Sequence, residues 1–207
     1  MPAYEGFPPT SAEGAVAPEN PWRPRPSGHD DVPMTELVRP DLRYHASWAS
    51  AVREFERDGT TMHGGGLWEL DTGDLGRAAL ATEVERLLAQ ADRATELPEG
   101  IVPCSYYWIV EGAEFVGYLA IRHELNDFLL EVGGHIGYSV RPSRRREGHA
   151  TRAVKLALDE ASGLGIDRVL ITCDHDNDAS RLTIERGGGV LEDRRGDKLR
   201  YWVDLVG

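Results

Sequence analysis

The sequence predicts a mixed α/β (α+β) domain built on a central, mostly antiparallel twisted sheet flanked by helices. Three observations carry that expectation. Apolar residues recur at helical spacing in four segments. Short β-branched and aromatic runs fill the stretches between them, two pairs of which are joined by tight turns. The resulting order is β-α-α-β-β-β-α-β-α-β-β, with no internal repeat.

Taken in order, residues 1–33 are rich in Pro, Gly, Ala and Ser and show no period. They read as a flexible or extended arm preceding a domain over 34–207. Glu36–Pro40 (ELVRP) is a short strand. From Asp41, an N-terminal helix residue, Tyr44, Trp48, Ala51, Val52 and Phe55 lie on one helical face, and Gly59 stops the helix. The segment DGTTMHGGGLWELDTGD is a loop. A second helix carries Leu80, Val84, Leu87, Leu88 and Ala91 on one face. SYYWIVEG and FVGYLAIRHEL form a hairpin about Gly112, and Gly134–Arg141 (GHIGYSVR) is the next strand. A helix with Ala150, Ala153, Val154, Ala157, Leu158 and Ala161 inward ends at Gly163–Gly165. Arg168–Cys173 is apolar enough for a sheet interior. A helix over about Asp178–Arg186 and a hairpin around Arg195–Asp197 close the chain.

The 207 residues suit one well-cored domain with an appendage. A formal net charge of -12 disfavours a nucleic-acid partner and mildly favours a neutral or cationic one. The cysteines Cys104 and Cys173 have no metal-type or redox spacing, which fits a reducing compartment and core packing. No signal peptide and no apolar run of about 18 residues is present, so a cytoplasmic protein without a membrane partner is expected. The histidines form no zinc pattern, and the run from Asp174 departs from a calcium loop at Ala179, so no metal is expected.

Against that acidic total, VRPSRRREGHATRAV (Val140–Val154) stands out. Arg141, Arg144, Arg145 and Arg146 cluster between a strand and a helix. Amides at a helix N-terminus lack internal partners and carry the positive end of the helix dipole. Gly148 lets the backbone approach an anion, and Ala150 is too small to block it. This reads as a phosphate or pyrophosphate cradle, with a solvated basic turn as the bland alternative. It is neither a Walker A loop nor a Rossmann turn.

Arg145-Arg146-Glu147-Gly148-His149-Ala150 resembles the R/Q-x-x-G-x-G/A signature of the GNAT N-acetyltransferase superfamily, in its place between strand and helix. The resemblance spans about Thr35–Asp204, and IRHELNDFLLEVGGHIGYSVRP is similar to a little-characterised bacterial branch. It implies acetyl-CoA as co-substrate and an amine acceptor; the negative charge points to a small, cationic primary amine such as an amino acid, polyamine or aminoglycoside, with a protein N-terminus or lysine as the alternative. Backbone amides of Arg146, Gly148, His149 and Ala150, with the Thr151 hydroxyl, would hold the pyrophosphate beside Arg145. Ser139 and Val140 would pair with the pantetheine arm, and Asn177 and Ser180 would contact it from the other side. An oxyanion donor is implied at the Val140 amide or a neighbour.

Acyl transfer to an amine also needs a base. Where many relatives carry Glu on this strand, the chain has His135, whose pKa of about 6.5 suits the task. Glu124 and Glu131 are rivals, and a half-buried structural His135 is the alternative. Arg122 and His123 shape the acceptor pocket or have no special role. The tyrosine that serves relatives as acid is replaced by Ile184, leaving Ser180, Tyr138 or water. The acceptor is expected from the first two helices and the Thr60–Gly73 loop. A CoA-binding sensor without turnover, and an interaction protein recruiting through its arm, are the rival functions. The closing hairpin could support a homodimer.

Overall fold

The computed structural model describes residues 34–68 and 70–205, so the expected arm at 1–33 lies outside the described residues. The elements are β1 (Thr35–Val38), α1 (His45–Asp58), α2 (Arg77–Ala89), β2 (Cys104–Glu111), β3 (Glu114–Arg122), β4 (Ile136–Val140), α3 (His149–Gly163), β5 (Arg168–Asp174), α4 (Asp178–Arg186), β6 (Val190–Arg195) and β7 (Lys198–Asp204). This is the expected order, bounds shifting by a few residues. The seven strands form one sheet in the order β1-β2-β3-β4-β5-β7-β6. Every neighbouring pair is antiparallel except β4 and β5.

Local chemistry sets the boundaries. The Asp41 carboxylate accepts from the Arg43 amide, capping a short 3-10 turn that feeds α1. Gly59 ends α1 at φ 65°, a left-handed position. The apolar face of α1 (Trp48, Ala51, Val52, Phe55) packs on Trp108, Phe115 and Tyr118. On the other side of the sheet, Ala153, Val154, Ala157 and Ala161 of α3 pack on Ile109, Leu119, Ile121 and Ile171. Both faces of β2 and β3 are therefore covered, which is why their sequences read as continuous apolar runs. Among the described residues, no helix is long and apolar enough to cross a membrane.

Two features position the site. β4 stays with β3 through Val140 and β5 stays with β7 through Asp174, but β4 and β5 share one bridge, Ile136↔Ile171, and then part. Between β3 and β4 the chain makes a π-turn over Leu129–Gly133, absent from the sequence reading. Gly134 follows at φ 62°, where a Cβ would stand 2.5 Å from the Leu170 carbonyl oxygen, so only glycine fits.

Candidate active site

The turn between β4 and α3 is organised by its backbone. Among the described residues, Arg146 is the one non-glycine residue with positive φ, 69°, and Gly148 follows at 89°. The alternation turns successive amides toward one side, as in an anion-binding nest. The backbone N–H groups of residues 146–151 donate to no protein acceptor among the described residues. A Cβ at Gly148 would meet nothing within 4 Å, so the space before these donors is open. His149 pins the helix start from behind, its Nδ1 lying 2.8 Å from Thr35 Oγ1.

The arginines mostly serve another purpose. Buried Arg141 pairs with Glu54 and with Glu114, its Nη1 3.1 Å from Glu114 Oε1. Hydrogen bonding from Arg141 holds the Glu54 carboxyl at about 2. Arg144 pairs with Glu111, Glu114 and Glu147. Arg145, expected at the cofactor, instead reaches Asp58 Oδ2 at 2.8 Å, Thr60 Oγ1 at 3.0 Å and the Val140 carbonyl oxygen at 3.2 Å. These side chains clamp the turn to α1, β2 and β3, while its amides face outward.

β4 supplies a second set of open groups. The Arg122 amide donates to the His135 carbonyl and the Arg141 amide to the Val116 carbonyl, both at 2.8 Å. Antiparallel alternation then turns residues 137 and 139 toward β3, and the polar groups of Tyr138 and Val140 toward the gap left by β5. The expectation for Ser139 is corrected. Its backbone is engaged by β3, and its hydroxyl donates to the His63 carbonyl oxygen at 2.8 Å. The Val140 amide keeps the open orientation.

A cleft of about 330 Å³ occupies the gap between β4 and β5. Side chains alternate along a strand, so its walls belong to opposite faces of the sheet. Toward α3 and α4 lie Ile136, Tyr138, Cys173, Asn177 and Ser180; on the other face lie His63, Gly64, Arg122, Phe128, Val132, Thr172, Asp174 and Lys198. On the first face, Tyr138 Oη sits 2.8 Å from Ser180 Oγ, and burial pushes the phenol up to about 12. The Asn177 oxygen accepts from the Ser180 amide at 3.0 Å, capping α4 and leaving its NH₂ for the cleft. Burial raises the Cys173 thiol to about 11, so it is no nucleophile.

On the second face, the loop after α1 presses on β4. A Cβ at Gly64 (φ 78°) would stand 2.3 Å from the Gly137 carbonyl oxygen, which explains the glycine and delivers His63 to the cleft mouth. Partial burial lowers the His63 pKa below its ordinary 6.5; Lys198 and Arg122 lower it further, and Asp174 opposes them.

None of the three expected bases lines this cleft. His135 is buried, its Nδ1 accepts the Leu170 amide at 2.9 Å, and its ring stands edge-on to Trp202. Burial, then the Arg122 charge, holds it at about 4. A neutral imidazole has one ring lone pair, and here the backbone takes it, which corrects the expectation for His135 as base. Glu131 is exposed and paired with Arg195 on the closing hairpin. Glu124 is exposed on the turn beyond β3. His123 is buried against Ser105 Oγ at 2.9 Å, away from the cleft lining. The histidine that does line the cleft is His63, which the sequence did not single out. Its one signal was the run of glycines behind it, inside the loop expected to meet the acceptor.

A model of the acetyltransferase (GNAT) domain matches residues 77–190. The chain belongs to the GNAT acetyltransferase family. In this acetyltransferase the match takes in the turn between β4 and α3, β4, β5 and Arg122, but neither His63 nor Lys198. Solved structures share the fold at low identity. The microcin C7 self-immunity acetyltransferase MccE, in complex with acetyl-CoA and AMP, is 16% identical with a TM-score of 0.58, over 82% of this chain and 92% of that one. RimL, a ribosomal L7/L12 alpha-N-protein acetyltransferase in complex with coenzyme A, is 16% identical at 0.60, over 83% and 94%. Mycobacterium smegmatis RimJ, in complex with CoA-disulfide, is 20% identical at 0.61, over 82% and 81%. No curated protein sequence matches the chain.

Proposed function

We propose that this GNAT acetyltransferase moves an acetyl group from acetyl-CoA to the primary amine of a small acceptor, by direct attack in a ternary complex. The observation that carries the reading is the run of unpartnered amides at 146–151, placed one turn beyond the open edge of β4. Those donors fit a pyrophosphate, with the Thr151 hydroxyl beside them. The Tyr138 and Val140 amides, turned to the gap, fit the amide and thioester carbonyls of the pantetheine end. Asn177 and Ser180 close the donor side.

In the transfer, the amine first gives one proton to solvent and attacks in its neutral form; its nitrogen then bonds to the acyl carbon, the carbon–sulfur bond breaks, and a second proton leaves nitrogen. His63 receives that proton, since its lowered pKa leaves it neutral at pH 7. Tyr138 stays protonated and donates a hydrogen bond to the departing sulfur. A phenol near 12 is a weaker acid than a thiol of about 8.5, so it stabilises the thiolate and solvent protonates it. Direct attack is favoured over an acyl-enzyme because the cysteine in the cleft is held as a thiol. The cleft volume, at the lower end of the roughly 300–1,000 Å³ found for small-molecule sites, supports a small acceptor.

Calorimetric titration with acetyl-CoA tests the donor site. Micromolar binding is expected, weakened about 100-fold in Gly148→Glu, whose carboxylate would face the same donors as the phosphates. Absence of binding by the native chain overturns the reading. Binding without thiol release across an acceptor screen would identify a sensor instead.

A further inference from the structure

We propose that the acceptor carries a carboxylate beside its amine, as a free amino acid does, and that Arg122 holds it. This rests on the acetyltransferase reading and names the substrate class of that site. Arg122 ends β3, is partly buried, and lines the face of the cleft opposite α3. Its Nη1 donates to the Gly133 and Gly134 carbonyl oxygens at 3.1 and 3.0 Å, which fixes the guanidinium against the π-turn. A guanidinium has five N–H donors. The donors on Nε and Nη2 meet no acceptor among the described residues.

The contrast with neighbouring cations is sharp. Arg141, Arg144, Arg195 and Arg200 each pair with at least one carboxylate, and Lys198 pairs with Asp174. No carboxylate among the described residues pairs with Arg122. Its charge is felt by the histidines around it, lowering the pKa of His63 in the cleft and of buried His135 beside it. A half-buried, uncompensated guanidinium fits a site whose counter-charge arrives with the ligand. The flat fork of donors matches a carboxylate in a two-point contact.

Local charge also decides against a polyamine. The cleft holds Arg122 and Lys198 against Asp174, a positive balance, although the whole chain carries -12. Charges elsewhere on the surface are screened beyond a Debye length of about 8–10 Å, so the groups in the cleft dominate what enters it. The cationic acceptor suggested by the total charge is therefore replaced by a zwitterionic one. Phe128 and Val132 supply an apolar wall for its side chain, and His63 stands on the same face to take the amine proton.

The test measures thiol release from acetyl-CoA with matched probes. These are the twenty proteinogenic amino acids, their amides, the corresponding decarboxylated amines, spermidine, and the tripeptide Ser-Gly-Gly. At least one amino acid is expected to turn over, with its amide lower in kcat/KM by about 100-fold or more, because the amide cannot satisfy the guanidinium. In Arg122→Gln the acid and the amide should become nearly equal, the loss appearing mainly in KM for the acid. Arg122→Lys, which keeps the charge but not the fork, should retain part of the preference. A thermal melt of each variant separates loss of recognition from loss of fold. Better turnover of spermidine or the tripeptide, a preference that persists in Arg122→Gln, or no turnover of any amino acid overturns the proposal. Acetyl-CoA binding by the same preparation shows whether the donor reading survives that failure.

Discussion

The two walls of the cleft are built on different principles. The wall proposed for the donor carries Tyr138, Asn177 and Ser180, and the free amides of the turn at 146–151 lie further along the same chain, beyond the cleft lining. The opposite wall, proposed for the acceptor, is made of side chains from His63, Arg122, Phe128, Thr172 and Lys198, brought together from five separate segments. Backbone donors read a constant feature of the partner, whatever the neighbouring side chains are. Side chains gathered from distant segments can vary one at a time, and so can set which acceptor is used.

That division can be broken deliberately. His63→Gln should strike the acceptor side alone: kcat falls by about 10²–10⁴ while acetyl-CoA affinity stays unchanged in calorimetry. The native kcat/KM should carry an acid limb through a pKa below 6.5, where His63 becomes neutral, and above it rise only with the neutral fraction of the acceptor amine. A weakened acetyl-CoA affinity in the variant would show the two walls to be one.

Glu54→Ala strikes the donor side from behind. It removes one of the two carboxylates that hold buried Arg141, leaving Glu114, and frees Ser143, so stability should drop by roughly 2–3 kcal/mol in denaturant unfolding. Acetyl-CoA affinity should fall with it.

His135 sharpens the comparison as a scaffold residue. Its folded pKa of about 4 lies below the ordinary 6.5, so the unfolded chain binds the extra proton between those values. Stability should be full above about pH 6.5 and decline as pH falls toward 4, by up to about 3 kcal/mol. Thermal melts across that range read it, and His135→Gln should flatten the dependence. A large fall in kcat for His135→Gln at pH 7.5 would restore it as the base.

Gly64→Ala is the mildest change. Its Cβ meets the Gly137 carbonyl at 2.3 Å, so the loop must lift, costing about 1–3 kcal/mol. The acceptor KM should rise with little change in acetyl-CoA affinity.

How much was legible follows the same division. The helical period of Trp48, Val52 and Phe55, the hairpin at Gly112 and the glycine stops are local signals, and the elements formed where they pointed. The tight turn before α3 was legible because Gly148 and the helix start are neighbours in sequence. Arg145 was misjudged because its partners, Asp58 and Thr60, lie 87 and 85 positions away. His135 carried a suitable pKa and a suggestive position, but its lone pair belongs to Leu170 on another strand. The π-turn over Leu129–Gly133 gave no periodic signal, because its shape is held by the carbonyl contacts of Arg122.

By itself, the sequence determined the element order, the two apolar faces and the amide-rich turn, since each depends on residues within a few positions of one another. The tertiary structure alone decided which titratable groups share the cleft, that the arginine among them has no carboxylate partner among the described residues, and which histidine lines it. Those are facts about distance and burial, and residues as far apart as His63 and Lys198 acquire them only when the sheet brings their segments together.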